Sequence, residues 1–179
     1  MKNAIIFSGT GGQGVMSMGI MLAQSAVESG RHAIYMPSYG PEQRGGSAKC
    51  TVIIDKDEIV SPMAGYGGVL VAMNNMAYDK FIGELEPGGV LVYDSTLVTV
   101  PIERDDITKI GIPADALALE VGSSKVANVI VIGALIALTG LVTPEEFQRS
   151  LDKKFASKSD AVRAMNAEAL KRGIAAASK

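Results

Sequence analysis

The chain has 179 residues, 47% of them hydrophobic, enough for one domain with its own core and too many for a disordered segment. Its 17 basic and 19 acidic side chains leave a formal charge of −2, so no basic excess exists to hold a nucleic-acid backbone. A single cysteine, Cys50, and a single histidine, His32, exclude a disulfide framework, a four-thiolate iron–sulfur cluster and a zinc site built from this chain alone. Any electron-transfer centre that works with it is expected on a partner.

The elements follow in chain order. Residues 4–7 form a continuous apolar run, which predicts a buried parallel strand and is too short for a signal-peptide core. A glycine turn follows, then a helix over 15–29, with Val15, Met18, Leu22 and Ala26 on one face and Gly30 as its stop. Residues 32–36 predict the second strand, and the β–α–β crossover is expected to be right-handed. After a loop rich in Gly and Pro at 37–46, residues 48–54 alternate. Cys50, Val52 and Ile54 face one way, and Lys49, Thr51 and Ile53 the other. With the charged turn Asp55-Lys56-Asp57-Glu58 and then Ile59-Val60, this predicts an antiparallel hairpin and a mixed sheet.

Residues 68–73 predict a buried strand and 75–84 a helix. Pro87-Gly88-Gly89 predicts a turn, 90–93 a strand and 107–110 a short last strand. Helices are expected over 114–121 and 126–139. The apolar stretch 126–142 is interrupted by Asn128, Gly133, Thr139 and Gly140 and falls short of the about 20 apolar residues of a membrane span, so it reads as a buried helix. A cytoplasmic, non-membrane protein is expected. Thr143-Pro144-Glu145-Glu146 opens a helix with a capping residue, a proline in the first turn and acids at the positive end. Phe147, Leu151 and Phe155 form its apolar face. A last helix is expected over 159–171, with Gly173 beyond it. No internal repeat or linker is visible. The fold expected over residues 1–179 is a single α/β domain, three-layer α/β/α, with a mixed, mostly parallel, Rossmann-like sheet.

Two loops carry chemistry. Gly9-Thr10-Gly11-Gly12-Gln13-Gly14 satisfies G-x-G-x-x-G between a strand and a helix, where backbone N–H groups at a helix start suit an anion. The ribose-binding acid that a nicotinamide site needs is missing, because the second strand ends Tyr35-Met36-Pro37-Ser38. Gln13 adds an amide that can donate and accept where charge is unwelcome. The bland alternative is a glycine turn that only lets strand and helix pack closely. The second loop, Ser38-Tyr39-Gly40-Pro41-Glu42-Gln43-Arg44-Gly45-Gly46, follows the second strand and is expected at the same sheet edge. Tyr39 offers a stacking face and a hydroxyl, and Arg44 a planar fork for phosphate or carboxylate. Glu42 is placed to orient Arg44, or merely to pair with it at the surface.

Together the two loops resemble the gamma subunit, or gamma domain, of the 2-oxoacid:ferredoxin oxidoreductases, in which G-x-G-G-Q-G is paired with S-Y-G-P-E-x-R-G-G or a close variant. The likeness continues through Ala72-Met73-Asn74-Asn75-Met76-Ala77-Tyr78-Asp79-Lys80-Phe81 and Asn128-Val129-Ile130-Val131-Ile132-Gly133-Ala134 into the helical tail. Gly65-Tyr66-Gly67-Gly68 departs from members that carry acids before that strand. Tyr39 and Gly46 look more like the 2-oxoglutarate and branched-chain types than the pyruvate type, which more often has Phe and Ala there. The resemblance implies an accessory subunit that is not catalytic alone. It implies that coenzyme A is shared with partner chains, and that thiamine diphosphate, Mg²⁺ and iron–sulfur clusters lie on those partners only. The implied partners are alpha-, beta- and ferredoxin-like delta-type subunits, with ferredoxin met indirectly, and a homodimer is expected of the isolated chain. The residues it places at coenzyme A are those of the two loops and Asn128. A free-standing Rossmann-like oxidoreductase and a purely structural assembly subunit are the alternatives.

Other polar residues read more plainly. Asn128, in an apolar helix, either pins a nearby loop or faces the cleft. Lys153, Lys154 and Lys158 complement a helix C-terminus or meet a phosphate. Cys50 reads as a small core residue.

Overall fold

The computed structural model describes residues 4–39, 46–61 and 65–177. Six strands form one mixed sheet in the order β2-β3-β1-β4-β5-β6. β1 (Ala4–Thr10) is buried on both faces, as its unbroken apolar run requires, and lies in the sheet interior. β4 (Gly67–Ala72), β5 (Leu85–Asp94) and β6 (Thr108–Ile112) continue parallel to it on one side. On the other side β3 (Ser47–Asp55) runs antiparallel to β1 and also antiparallel to β2 (His32–Tyr39).

That arrangement corrects the expected hairpin. Strand 48–54 does form and alternates as expected, with Cys50, Val52 and Ile54 buried. Its partners, however, are β1 and β2 rather than 59–60. Residues 48–53 of β3 pair along both edges and its other residues along one, so the strand is already taken by β1 and β2, and Val60 stands 95% exposed. The turn expected at Pro87–Gly89 is instead a bulge inside β5. The register steps from Gly67 opposite Leu85 to Val69 opposite Val90, and Gly88 takes a positive φ of 76° to make it.

Strand alternation divides the core between the two sheet faces. Ile5, Phe7, Val69, Val71 and Val92 meet α1 (Val15–Glu28) and α4 (Ala127–Thr139) on one face. Ile6, Leu70, Ala72 and Leu91 meet Tyr78 and Phe81 of α2 (Asn75–Phe81) on the other, with a 3₁₀ turn closing α2 at 82–84. The result is the three-layer α/β/α arrangement read from the sequence. Each large apolar side chain fully removed from water, Phe7 and Phe147 among them, contributes about 1.5–3 kcal/mol.

α3 (Ala114–Val121), α5 (Pro144–Lys154) and α6 (Asp160–Ala177) complete the first layer. α6 does not stop before Gly173 but runs through it, because this glycine is a crossing point and not an end. A methyl group there would lie 2.0 Å from the Ile130 carbonyl oxygen, and one at Gly133 would lie 2.5 Å from that of Leu170. Among the described residues no helix is long and apolar enough to cross a membrane.

α5 begins as its sequence dictates. Thr143 Oγ1 accepts from the Glu146 N–H at 3.2 Å, and Glu146 Oε2 accepts from the Thr143 N–H at 2.8 Å, forming a capping box. Arg31 Nη1 donates to the same carboxylate oxygen at 3.0 Å and so ties α5 to the end of α1. The Thr143 N–H, and then Arg31, hold the Glu146 carboxyl below its ordinary range despite partial burial. Thr143→Ala is expected to cost about 1 kcal/mol in urea unfolding. Lys153 stands in the last turn of α5, where a cation complements the helix end, and also pairs with Glu28 of α1 at 3.1 Å.

Candidate functional site

The carboxyl ends of the parallel strands share one rim. Thr10 at the end of β1 is opposite Ser47, and Tyr39 at the end of β2 is opposite Ala48. The glycine turn and both flanks of the second loop therefore leave the sheet together, two strand spacings or about 10 Å apart. Gly40, Pro41, Glu42, Gln43, Arg44 and Gly45 lie outside the described residues, as does the side chain of Tyr39. Ser38 is exposed and Gly46 half-buried at the loop's two feet.

The turn itself is built from the sequence upward. Gly12 and Gly14 take φ of 97° and 74°, a region that side chains with a Cβ avoid. The Gln13 N–H donates to the Thr10 carbonyl at 3.2 Å, and the Gly14 carbonyl accepts the first bond of α1 from Met18 at 2.9 Å. Asn128, half-buried in the first turn of α4, packs on Gly14, where an added methyl would stand 2.5 Å from its Nδ2. Its Oδ1 accepts from the Val129 N–H of its own helix at 2.9 Å. Asn128 thus sits against the turn, while the hydrogen bond of its Oδ1 stays within its own helix.

The Gln13 side chain is engaged within the chain. Its Oε1 accepts from the Thr10 N–H at 2.8 Å, from Thr10 Oγ1 at 3.0 Å and from Asn74 Nδ2 at 2.6 Å. Its Nε2 donates to the Met73 carbonyl at 3.0 Å. Asn74 also caps α2, accepting from the Ala77 N–H at 2.8 Å. The amide that looked available to a ligand is a brace between the end of β1 and the end of β4. Asn74 stood in the sequence inside the resembling segment, but nothing local marked it as the brace's other half.

A cavity of about 180 Å³ opens beside the turn, lined by Gly12, Gln13, Gly14, Met73, Asp94 and Lys125 among others. Small-molecule sites usually enclose roughly 300–1,000 Å³. This pocket therefore takes only part of a large ligand. A wider hollow of about 400 Å³ between α5 and α6 lies away from the strand ends and has no glycine turn at its edge.

Sequence reasoning missed three residues here. Asp94 ends β5 and is fully buried. Its Oδ1 accepts from the Thr96 and Ala114 N–H groups at 3.0 and 3.1 Å, and its Oδ2 from that of Asp115 at 3.0 Å, so it holds the start of α3. Burial pushes its carboxyl above the ordinary range, against the pull of those N–H groups. The available signal was an acid placed directly at the carboxyl end of an apolar strand. Lys80 Nζ donates to Ser47 Oγ at 2.7 Å, and Lys49 Nζ contacts both oxygens of Glu84 at 2.7 and 2.9 Å. The Lys80 amine stands at the foot of the second loop, whereas that of Lys49 is drawn to Glu84, just before the amino end of β5. Cys50 is not a nucleophile, since burial pushes its thiol to about 12 while its Sγ donates to the Val15 carbonyl at 3.4 Å.

A Rossmann-like mixed sheet with a braced glycine turn and both feet of the second loop on one rim defines an α/β domain whose candidate site lies at the carboxyl ends of its parallel strands. The chain belongs to the pyruvate ferredoxin/flavodoxin oxidoreductase family, which matches residues 4–176, and within it to the gamma-type subunits. It is 40% identical over 153 residues to the ketoisovalerate oxidoreductase subunit VorA of Methanothermobacter thermautotrophicus, covering 84% of this chain but 31% of that one. It thus spans about a third of that relative's length. The solved gamma subunit of a keto/oxoacid ferredoxin oxidoreductase from Geobacter sulfurreducens superposes with TM-score 0.84 at 34% identity, over 98% of each chain. The 2-oxoglutarate:ferredoxin oxidoreductase from Magnetococcus marinus, solved with 2-oxoglutarate, coenzyme A and succinyl-CoA bound, gives TM-score 0.92 at 27% identity over 99% of this chain and 31% of that one.

Proposed function

We propose that this chain is the accessory gamma subunit of a thiamine diphosphate- and coenzyme A-dependent 2-oxoacid:ferredoxin oxidoreductase. Its part is to help bind coenzyme A and to close the active site. Partner chains cleave the 2-oxoacid to CO₂, pass the acyl group to the coenzyme thiol and deliver two electrons through iron–sulfur clusters to ferredoxin. The observation that carries this reading is the shared rim, where the glycine turn and both feet of the second loop emerge side by side. A cavity too small for a whole coenzyme supports a site completed by another chain. Lys80 at the loop's foot, Lys125 at the cavity and the α1 start suit the phosphates. The coenzyme in the Magnetococcus structure supports the ligand class. 2-Oxoglutarate is the favoured substrate, with a branched-chain 2-oxoacid next, in line with the ketoisovalerate relative.

The test uses the assembled complex, with the apparent KM measured separately for coenzyme A and for the 2-oxoacid. Arg44→Ala is expected to raise the first about tenfold or more, the loss of one charge-assisted hydrogen bond, and to leave the second within about twofold. Equal effects on both, or none, count against the assignment. So does recovery of the native protein without alpha- and beta-type chains under gentle anaerobic conditions.

A further inference from the structure

α6 has two apolar faces. One looks inward, where Asn166, Ala169, Leu170 and Gly173 are buried and Gly173 crosses α4. The other carries Ala164, Ala167 and Ile174 at helical spacing and looks towards α5. α5 does not close over it. The two helices leave a hollow of about 400 Å³, lined by Pro144, Arg149, Ala167, Lys171 and Ile174 among others, and a second of about 370 Å³, lined by Ala156, Arg163, Ala164 and Ala167 among others. Ala167 belongs to both, so the two form one trough. From Ala164 to Ile174 the trough follows α6 for about 15 Å, the length of nearly three turns of a helix laid along it. The alanines of its floor let another backbone come close.

Two cations on the rim of the trough lack a carboxylate among the described residues. Arg31, Arg104, Arg163 and Arg172 each pair with one, and so do Lys49, Lys109 and Lys153. Arg149 and Lys171, both exposed and on opposite walls of the trough, enter no such pair. Neither stands in the last turn of its helix, where a cation would complement the helix end. The acid of this rim, Glu145, lies in the first turn of α5, where a negative charge suits the helix start.

We infer that this trough receives a helix of a partner subunit, one that lays apolar side chains on Ala164, Ala167 and Ile174 and sets carboxylates against Arg149 and Lys171. The inference rests on the function proposed above and adds to it the docking face, away from the strand-end rim. The partner is the one that corresponds to the rest of the longer relatives. In the ketoisovalerate and Magnetococcus proteins the matched segment is 31% of the chain, so the remainder is joined to it covalently. On the reading of a separate gamma subunit, side chains have to hold that same neighbour. A second copy of this chain suits the trough less, because a twofold contact here would bring Arg149 and Lys171 of two copies together.

The experiment compares purified complexes carrying Arg149→Glu with Lys171→Glu, Ala167→Glu alone, Lys154→Glu alone, or no change. Sedimentation on dilution reads how tightly each complex retains this chain. The double charge reversal is expected to weaken retention about tenfold or more, and Ala167→Glu, which puts a carboxylate on the alkyl floor, at least as much. Lys154→Glu, exposed on α5 outside the trough, stays within about twofold of the parent. Added salt loosens the parent more steeply than the double variant. Because Arg149 and Lys171 are exposed, the double variant keeps the parent's melting temperature, which separates its effect from folding. Parent-like retention of both the double variant and Ala167→Glu overturns the docking face and leaves the proposed function standing. An equal loss with Lys154→Glu also overturns it, since net charge and not the trough would then be at work. Lost self-association of the chain, with the complex intact, overturns it in favour of a second copy. A parent chain that co-purifies with no other subunit overturns both readings.

Discussion

Gly173→Ala is expected to destabilise the domain by on the order of 3 kcal/mol, the largest single-methyl effect the structure predicts. Intrinsic helix preference predicts the opposite sign, since alanine inside a helix is better than glycine by about 1 kcal/mol. Packing decides the outcome. The added carbon would stand 2.0 Å from the Ile130 carbonyl oxygen, 2.8 Å from its carbon and 3.0 Å from its Cα, all backbone atoms of a helix buried along nearly its whole length. No rotamer relieves such a contact, so α4 and α6 must separate and lose the close packing around Leu170 and Ala169. The reciprocal approach of Gly133 to the Leu170 carbonyl makes the crossing close from both sides. Urea unfolding of Gly173→Ala beside Ala175→Ser, an exposed position on the same helix expected to change by less than about 0.5 kcal/mol, checks the prediction. Equal or greater stability of the alanine variant sinks the close crossing. Because α4 carries Asn128 against Gly14, any separation that still folds is also expected to weaken the rim site.

Asp94→Ala is expected to cost about 3 kcal/mol. It strands the N–H groups of Thr96, Ala114 and Asp115, of which the Ala114 contact is buried, and each unpaired buried group costs about 1–3 kcal/mol before water from the adjoining cavity offsets part of it. Asp94→Asn keeps one acceptor and loses the other, so a smaller loss is expected, and its pH dependence is informative. Burial raises the folded carboxyl above its ordinary value and outweighs the three N–H donors, so the folded chain holds the proton where the unfolded chain has released it. The group's contribution is therefore greatest below the ordinary aspartate value of about 4 and declines as pH rises through the elevated folded value. Asparagine does not titrate. The stability difference between parent and Asp94→Asn should thus shrink as pH rises from about 4 towards neutrality. A difference that grows over that range would mean that the N–H groups dominate and the carboxyl is depressed.

On the function proposed above, the contribution of this chain is geometric: the hydrogen bonds of Gln13 fix the glycine turn before any ligand arrives, so little ordering cost remains on binding. Gln13 illustrates the division of labour. It stands in the most ligand-like motif of the sequence, yet its hydrogen bonds go to Thr10, Asn74 and Met73.

Much of this was legible without coordinates. Strand, turn and helix from β1 through α1 follow from an apolar run, four glycines and a 3.6-residue stripe, all decided by residues within a few positions of one another. The same holds for the α5 capping box, where Thr143 and Glu146 meet three residues apart. The α/β class, the family and the emergence of the glycine turn and both feet of the second loop at one edge were legible as well. What the sequence could not contain was the choice among distant partners. Strand 48–54 announces itself by alternation, but whether it pairs with 59–60 or fits between β1 and β2 depends on competition for hydrogen-bonding edges along the whole sheet. Gly173 reads locally as a helix stop and becomes a helix crossing only when Ile130 arrives from 43 positions away. The Gln13–Asn74 brace and the burial of Asp94 are likewise products of long-range contact. Short-range chemistry determines what each segment is, and only the packed chain determines which segments meet.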